Sequence, residues 1–105
     1  MKMDNEILDN QKFALVCKAL GHPARVEIVK HLLKIDNCVC GKIVEILPLA
    51  QSTVSQHLKI LKHSGLVKGE IDGQRSCYCI DHRVWGAFKR TVDMLYLYEK
   101  EKPCL

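Results

Sequence analysis

Residues 51–63, QSTVSQHLKILKH, carry a helical pattern whose two faces differ in kind, and the chain then runs straight into a hairpin signal. Val54, Leu58 and Leu61 recur at helical spacing on one face, while Ser52, Ser55, Gln56, Lys59 and His63 fall on the other. Gly65 closes this helix. Leu66 to Ile71 and Arg75 to Ile80 read as two strands joined by Asp72-Gly73, a dipeptide suited to a tight hairpin turn. A two-faced helix leading directly into a hairpin is the strongest constraint on this fold.

The flanking segments supply further helices. A first pattern covers about residues 5–20, with Ile7, Leu8, Leu15, Val16, Ala19 and Leu20 as its apolar positions. Gly21 is placed to end it in the left-handed conformation, and Pro23 sits where a first-turn proline is tolerated. A second helix is expected from there to about Leu33, burying Val26, Val29, Leu32 and Leu33, until Asp36 and Asn37 break it. A short third helix is expected near Cys40 to Leu47, stopping before Pro48. The last runs from about His82 to Lys100, with Trp85, Phe88, Val92 and Leu95 as its apolar stripe. The order α-α-α-α-β-β-α defines a mainly α fold with a β-hairpin, a winged helix-turn-helix. No repeat, linker or low-complexity segment divides it, so residues 1–105 read as a single domain.

Composition narrows the setting. Of 105 residues, 48% are hydrophobic and 27% charged, the balance of a globular rather than a disordered chain. Sixteen Lys and Arg against twelve acids give a net charge of +4, which permits a nucleic-acid partner without proving one. The N-terminus carries acids where a signal peptide needs a basic start, and no apolar stretch reaches the length of a membrane span. The six cysteines sit among long amphipathic helical patterns able to bury a core unaided, so a cytoplasmic chain with reduced thiols, rather than a disulfide framework, is expected.

In a winged helix-turn-helix the second helix of the pair enters the DNA major groove and reads base edges. Residues 51–63 suit that role. Gln51 and Gln56 offer paired donor and acceptor groups to adenine, and Ser52, Thr53 and Ser55 can bond to bases or phosphates. Lys59 and Lys62 lie where phosphates would run. Between Glu45 and Glu70 there is no acid, so nothing on this stretch repels a phosphate. Gln74 and Arg75 at the hairpin tip are placed to touch a neighbouring minor groove or the backbone. His57 borders the apolar face and is expected to bond locally rather than to a base.

The run QSTVSQHLKILKHSGLVKGEIDGQRSCYCID resembles the DNA-binding core of the ArsR/SmtB family of metal-responsive bacterial repressors. ALGHPARVEIVKHLL is similar to that family's second-helix signature, and CVC at residues 38–40 to its thiolate sensor motif. The resemblance covers roughly residues 13–98. It implies a homodimer joined through the first and last helices, with two recognition helices on an imperfect palindrome of double-stranded operator DNA, about 34 Å apart.

It also implies an inducer site. Cys38 and Cys40 are expected to straddle the start of the third helix, where free amides, the helix dipole and Lys42 favour thiolates. Soft thiolates take soft ions. In the family this motif marks sensors of trivalent arsenic and antimony, and some of cadmium or lead, with zinc a further candidate and no organic cofactor. A third cysteine, often found three residues after the second, is replaced here by Ile43. Cys17 or Cys104 is a candidate third ligand, from the same chain or across the dimer. Cys77 and Cys79 share one face of a strand, about 7 Å apart at a rise of roughly 3.3 Å per residue, and are read as packing or adventitiously reactive residues whose role the sequence leaves open. The family's zinc site on the last helix is rejected: Asp81 and His82 are adjacent and no histidine follows.

The resulting expectation is a repressor released from its operator when an ion draws the thiolates together and shifts the helix packed before the recognition helix. A thiol-based redox or persulfide sensor, pairing Cys38 or Cys40 with Cys104, is the alternative. A small cysteine-dependent enzyme is the remote one, because neither a CxxC motif nor a nucleophile with an ordered base is present.

Overall fold

The computed structural model describes residues 6–35, 38–40, 47–70 and 77–99, with Val39 and Cys40 described by their backbone only. Four helices and three strands follow in the order α1 (Asn10–Ala19), α2 (Pro23–Lys34), β1 (Val39–Cys40), α3 (Gln51–His63), β2 (Val67–Glu70), β3 (Cys77–Ile80) and α4 (His82–Glu99). Two helices, then α3, a hairpin and a closing helix are the arrangement of a winged helix-turn-helix. The expected Asp72-Gly73 turn, and the body of the expected third helix at 41–46, lie outside the described residues.

Local chemistry sets the helix ends. Asp9 caps α1, its carboxylate accepting the Lys12 N–H at 2.8 Å, so the helix starts later than residue 5. The residues before it are tied to α4 instead. Leu8 N–H donates to Thr91 Oγ1 at 2.9 Å, Arg90 Nε donates to the Glu6 carbonyl at 2.6 Å, and Arg83 pairs with the Glu6 carboxylate at 2.9 Å. Gly21 has no positive φ, and the cap of α1 is Leu20, so the left-handed ending expected there does not form. Gly65 does take that conformation, at φ 90°, and lets the chain turn from α3 into β2. The buried Ser64 beside it donates to the Leu61 carbonyl at 2.7 Å and accepts the Leu66 N–H at 3.2 Å, leaving no orphaned polar group at this tight turn.

The core lies between these layers. Val16 and Ala19 of α1, Ile28, Val29 and Leu32 of α2, and Val54, Leu58 and Leu61 of α3 meet Leu66, Val67, Tyr78 and Ile80 from the hairpin. The stripe read from α3 is therefore the buried one. Val26, expected inside, is 41% exposed, and Ile28 takes its place. Phe13 of α1 stacks on Phe88 of α4 at 5.3 Å, with Trp85 next in the stack at 5.9 Å. Further along α4 the apolar stripe emerges at the surface of the single chain: Val92 and Leu95 are 43% and 51% exposed.

The sheet departs most from expectation. It has three antiparallel strands in the order β1-β3-β2, not two. Val39 pairs with Tyr78 and Cys40 with Cys77 on one side of β3, while Val67 pairs with Ile80 and Gly69 with Tyr78 on the other. The expected helix start at Cys40 is thus a strand. The backbone N–H and C=O groups of Val39 and Cys40 lie beside the free edge of β3, and strand pairing satisfies groups on both sides.

Candidate nucleic-acid interface and thiol site

The outward face of α3 is where the sequence places it. Ser52, Thr53, Gln56, Lys59 and Lys62 are exposed, and Gln51 and Ser55 are half-buried at the helix margin. Among the described residues nothing covers this face, since the helix has spent its apolar stripe on the core. Gln74 and Arg75 lie outside the described residues. Three residues that sequence reasoning passed over border the same surface. Ile60 is exposed and, with Ser52, Thr53, Gln56 and His57, lines a shallow depression of about 280 Å³. Lys18 and Arg25 line a second, with Leu15, Ile60 and His63. Their placement comes from α1 and α2 packing beside α3, which no local pattern announces.

His57 does bond locally. Its Nδ1 lies 3.3 Å from the Arg25 guanidinium, whose Nε donates to the Ala19 carbonyl at 2.6 Å, and its ring sits 4.6 Å from that of His22. His22 is committed in turn, its Nδ1 accepting the Ala24 N–H at the start of α2 at 3.0 Å. Partial burial, then the neighbouring His22 and Arg25, hold the His57 pKa below the ordinary histidine value. The unfolded chain therefore takes up this proton more readily than the folded one, so stability falls as pH drops below about 6.5. His57→Gln should flatten that dependence. Urea midpoints measured across this range would show it, and an unchanged slope would refute the assignment.

The thiols are arranged differently from the expectation. Cys38, exposed at the start of β1, forms a disulfide with Cys79 of β3 across 41 residues, with a Cα–Cα separation of 4.4 Å. Cys77 is also disulfide-bonded, and its backbone lies opposite Cys40. Two corrections follow. Cys77 and Cys79 are not packing residues, and the cysteines are not all reduced thiols. The cause is β1, a strand of two residues that sequence periodicity does not reveal and that delivers residues 38–40 to the hairpin. The helix-terminus argument for acidic thiols at Cys38 and Cys40 lapses with it, since Cys40 lies in a strand.

A cleft of about 230 Å³ opens beside this pair, lined by Leu32, Ile35, Cys38, Lys68, Cys79 and His82 among others. Cys17 on α1 is an exposed free thiol, and Cys104 lies outside the described residues. Among the described residues, no group of three or more His, Cys, Asp or Glu side chains is arranged to hold a metal ion. No described helix is long and apolar enough to cross a membrane.

Comparison with known proteins agrees with this arrangement. Residues 22–68, which run from the start of α2 through α3 into β2, match the profile described as bacterial regulatory protein, arsR family. An HTH-type transcriptional regulator of Methanocaldococcus jannaschii is 43% identical over 70% of this chain and 84% of its own length. The HTH-type transcriptional repressor SmtB of Mycobacterium tuberculosis is 42% identical over 75% of this chain, which spans 57% of that protein. Among solved structures, reduced HlyU of Vibrio cholerae superposes with a TM-score of 0.59 at 27% identity, over 86% of this chain and 92% of its own. The cadmium sensor CmtR of Mycobacterium tuberculosis gives 0.51 at 27% identity, over 88% and 96%.

Proposed function

Since the chain belongs to the arsR family of bacterial regulatory proteins and is a transcriptional regulator rather than an enzyme, we propose that it is a homodimeric repressor that releases operator DNA on binding a thiophilic ion. The inducers proposed are trivalent arsenic or antimony, with cadmium, lead or zinc as the other soft candidates, bound through Cys38 and Cys40. The observation that carries the DNA reading is the uncovered face of α3. Ser52, Thr53, Gln56, Lys59 and Lys62 are exposed there, on a stretch without an acid from Ile46 to Gly69.

The homodimer reading is supported by apolar surface. Val92, Leu95, Tyr96, Leu97 and Tyr98 are exposed along the end of α4, and Ile7 is exposed in the segment tied to that helix. Water is an unfavourable neighbour for a patch of this kind, and a second copy would cover it. The ion reading is supported by donor chemistry: Cys38 immediately precedes β1, the strand leading toward α3, and lies against a second cysteine, Cys79 of β3. Coupling between such sites is about 1–3 kcal/mol, or roughly 5–150-fold in affinity, and is reciprocal.

The test is release of a labelled operator from fully reduced protein by arsenite, antimonite, cadmium, lead and zinc. The wild type should release DNA, and Cys38→Ser/Cys40→Ser should bind DNA normally and hold it in the presence of arsenite. Normal release by the double variant, or release by none of the ions, would sink the proposal. A second reading, a thiol-redox repressor, is favoured by the Cys38–Cys79 disulfide itself. It would use Cys79 where the sequence suggests Cys104. Release by oxidant alone, reversed by a dithiol, would select it.

A further inference from the structure

We infer that the thiols of β3 complete the ion site, making a four-cysteine clasp of Cys38, Cys40, Cys77 and Cys79 within one chain that takes a tetrahedral soft divalent cation. This rests on the ion-responsive reading above and replaces Cys17 and Cys104 as the completing ligands. The pairing of β1 with β3 carries it. Cys40 is the register partner of Cys77, and the Cα of Cys38 is 4.4 Å from that of Cys79. In an antiparallel ladder, directly opposed residues lie on the same face, and residues two apart on one strand share that face. All four cysteine positions therefore belong to one face of a two-strand ribbon, opposite the face from which Tyr78 enters the core.

Two cysteines on one strand, about 7 Å apart, are a poor clasp for a single ion. The cross-strand pairs change this. They set two cysteines close together at each end, so sulfurs leaning inward along the strands can converge on a centre with bonds of about 2.3 Å for zinc. Four sulfurs in a tetrahedron suit zinc or cadmium, whereas hard cations want oxygen. Four thiolates around a divalent ion leave two negative charges, and Lys68, the register partner of Cys79, lines the adjoining cleft where it offsets them.

Oxidation and ion binding exclude each other at this site. A dithiol reductant delivers two electrons and two protons to the Cys38–Cys79 bond, and a second equivalent does the same for the disulfide that holds Cys77, each bond giving two thiols and each dithiol becoming a disulfide itself. Ion binding then displaces one proton from each thiol as the metal–sulfur bonds form. Either state ties β1, on the approach to α3, to the strand that forms the hairpin with β2.

Cadmium chloride is the probe, added to the reduced full-length protein, with thiolate-to-cadmium absorbance and site-by-site alkylation by iodoacetamide as readouts. One cadmium per chain should saturate the absorbance. It should protect Cys38, Cys40, Cys77 and Cys79 from alkylation at least tenfold and leave Cys17 and Cys104 reactive, a wild-type measurement independent of how any variant folds. Cys77→Ser and Cys79→Ser should each weaken cadmium binding at least tenfold, and Cys17→Ser and Cys104→Ser should not. Protection of Cys17 or Cys104 in place of the β3 cysteines, or no cadmium bound, overturns the inference. Operator release measured alongside separates the two readings. Four-cysteine protection without DNA release keeps the site and discards ion-driven release. Release without protection of Cys77 and Cys79 does the reverse.

Discussion

Replacing Gly69 with alanine should lower the stability of the whole domain more than any exposed substitution. Gly69 lies in β2 at φ 125°, a conformation that residues with a Cβ avoid. Its register partner is Tyr78. A Cβ built there would collide with the Cys77 carbonyl oxygen and lie 2.8 Å from the Tyr78 Cα, both backbone groups with no freedom to swing aside. Backbone strain of this kind costs about 1–3 kcal/mol before the collision is relieved. Relief requires β2 to move off β3, which unseats Tyr78 and Ile80, both in the core. A total near 3 kcal/mol corresponds to a fall in Tm of about 12–24 °C in a domain of this size. Lys68→Ala, at the exposed neighbouring position, should stay within about 0.5 kcal/mol. Thermal unfolding of both reduced variants measures the contrast, and a Gly69→Ala protein within about 4 °C of wild type would refute the argument.

Lys59→Ala/Lys62→Ala should nearly abolish DNA binding at physiological salt while leaving the fold intact. Both side chains are exposed on α3 and make no ion pair among the described residues, and alanine is a good helix former, so the unfolding midpoint should barely move. Each lysine that neutralises a phosphate releases a counterion and contributes about 0.9 to the slope of log affinity against log salt. Two lysines per chain in the proposed dimer remove four contacts, so the slope should fall by roughly 3–4 and affinity by on the order of 100-fold or more. Gln56→Ala should behave differently, costing about 1–3 kcal/mol on the preferred sequence and little on random DNA. Filter binding or fluorescence anisotropy across a salt series reads both effects. An unchanged salt slope in the double variant would remove this face of α3 from the DNA contact.

Tyr78 shows how far the hairpin is committed to the interior. Its ring is fully buried, its hydroxyl has no hydrogen-bond partner among the described residues, and burial pushes its pKa up to about 12. The alternation of Cys77-Tyr78-Cys79-Ile80 therefore has a firm physical basis: Tyr78 and Ile80 enter the core and the cysteines take the other face. The sequence already assigned the two cysteines to one face, but not what they would meet there.

Local periodicity accounts for what was legible. Val54, Leu58 and Leu61 mark the buried stripe of α3 because a helix returns to the same side every three or four residues, and its bounds at Gln51 and His63 follow. The polar face of that helix and the strands on either side of Asp72-Gly73 belong to the same local logic. The reading failed where the deciding contact was distant in the chain. Asp36-Asn37 marks the break after α2, but nothing nearby announces that Val39 and Cys40 will pair with Tyr78 and Cys77. Thus the amino-acid sequence by itself determined the two-faced helix α3 and the hairpin beside it. Only the tertiary structure decided the company of the cysteines, because a strand's hydrogen-bonding edge is filled by whichever segment the fold brings to it, here from 41 residues away.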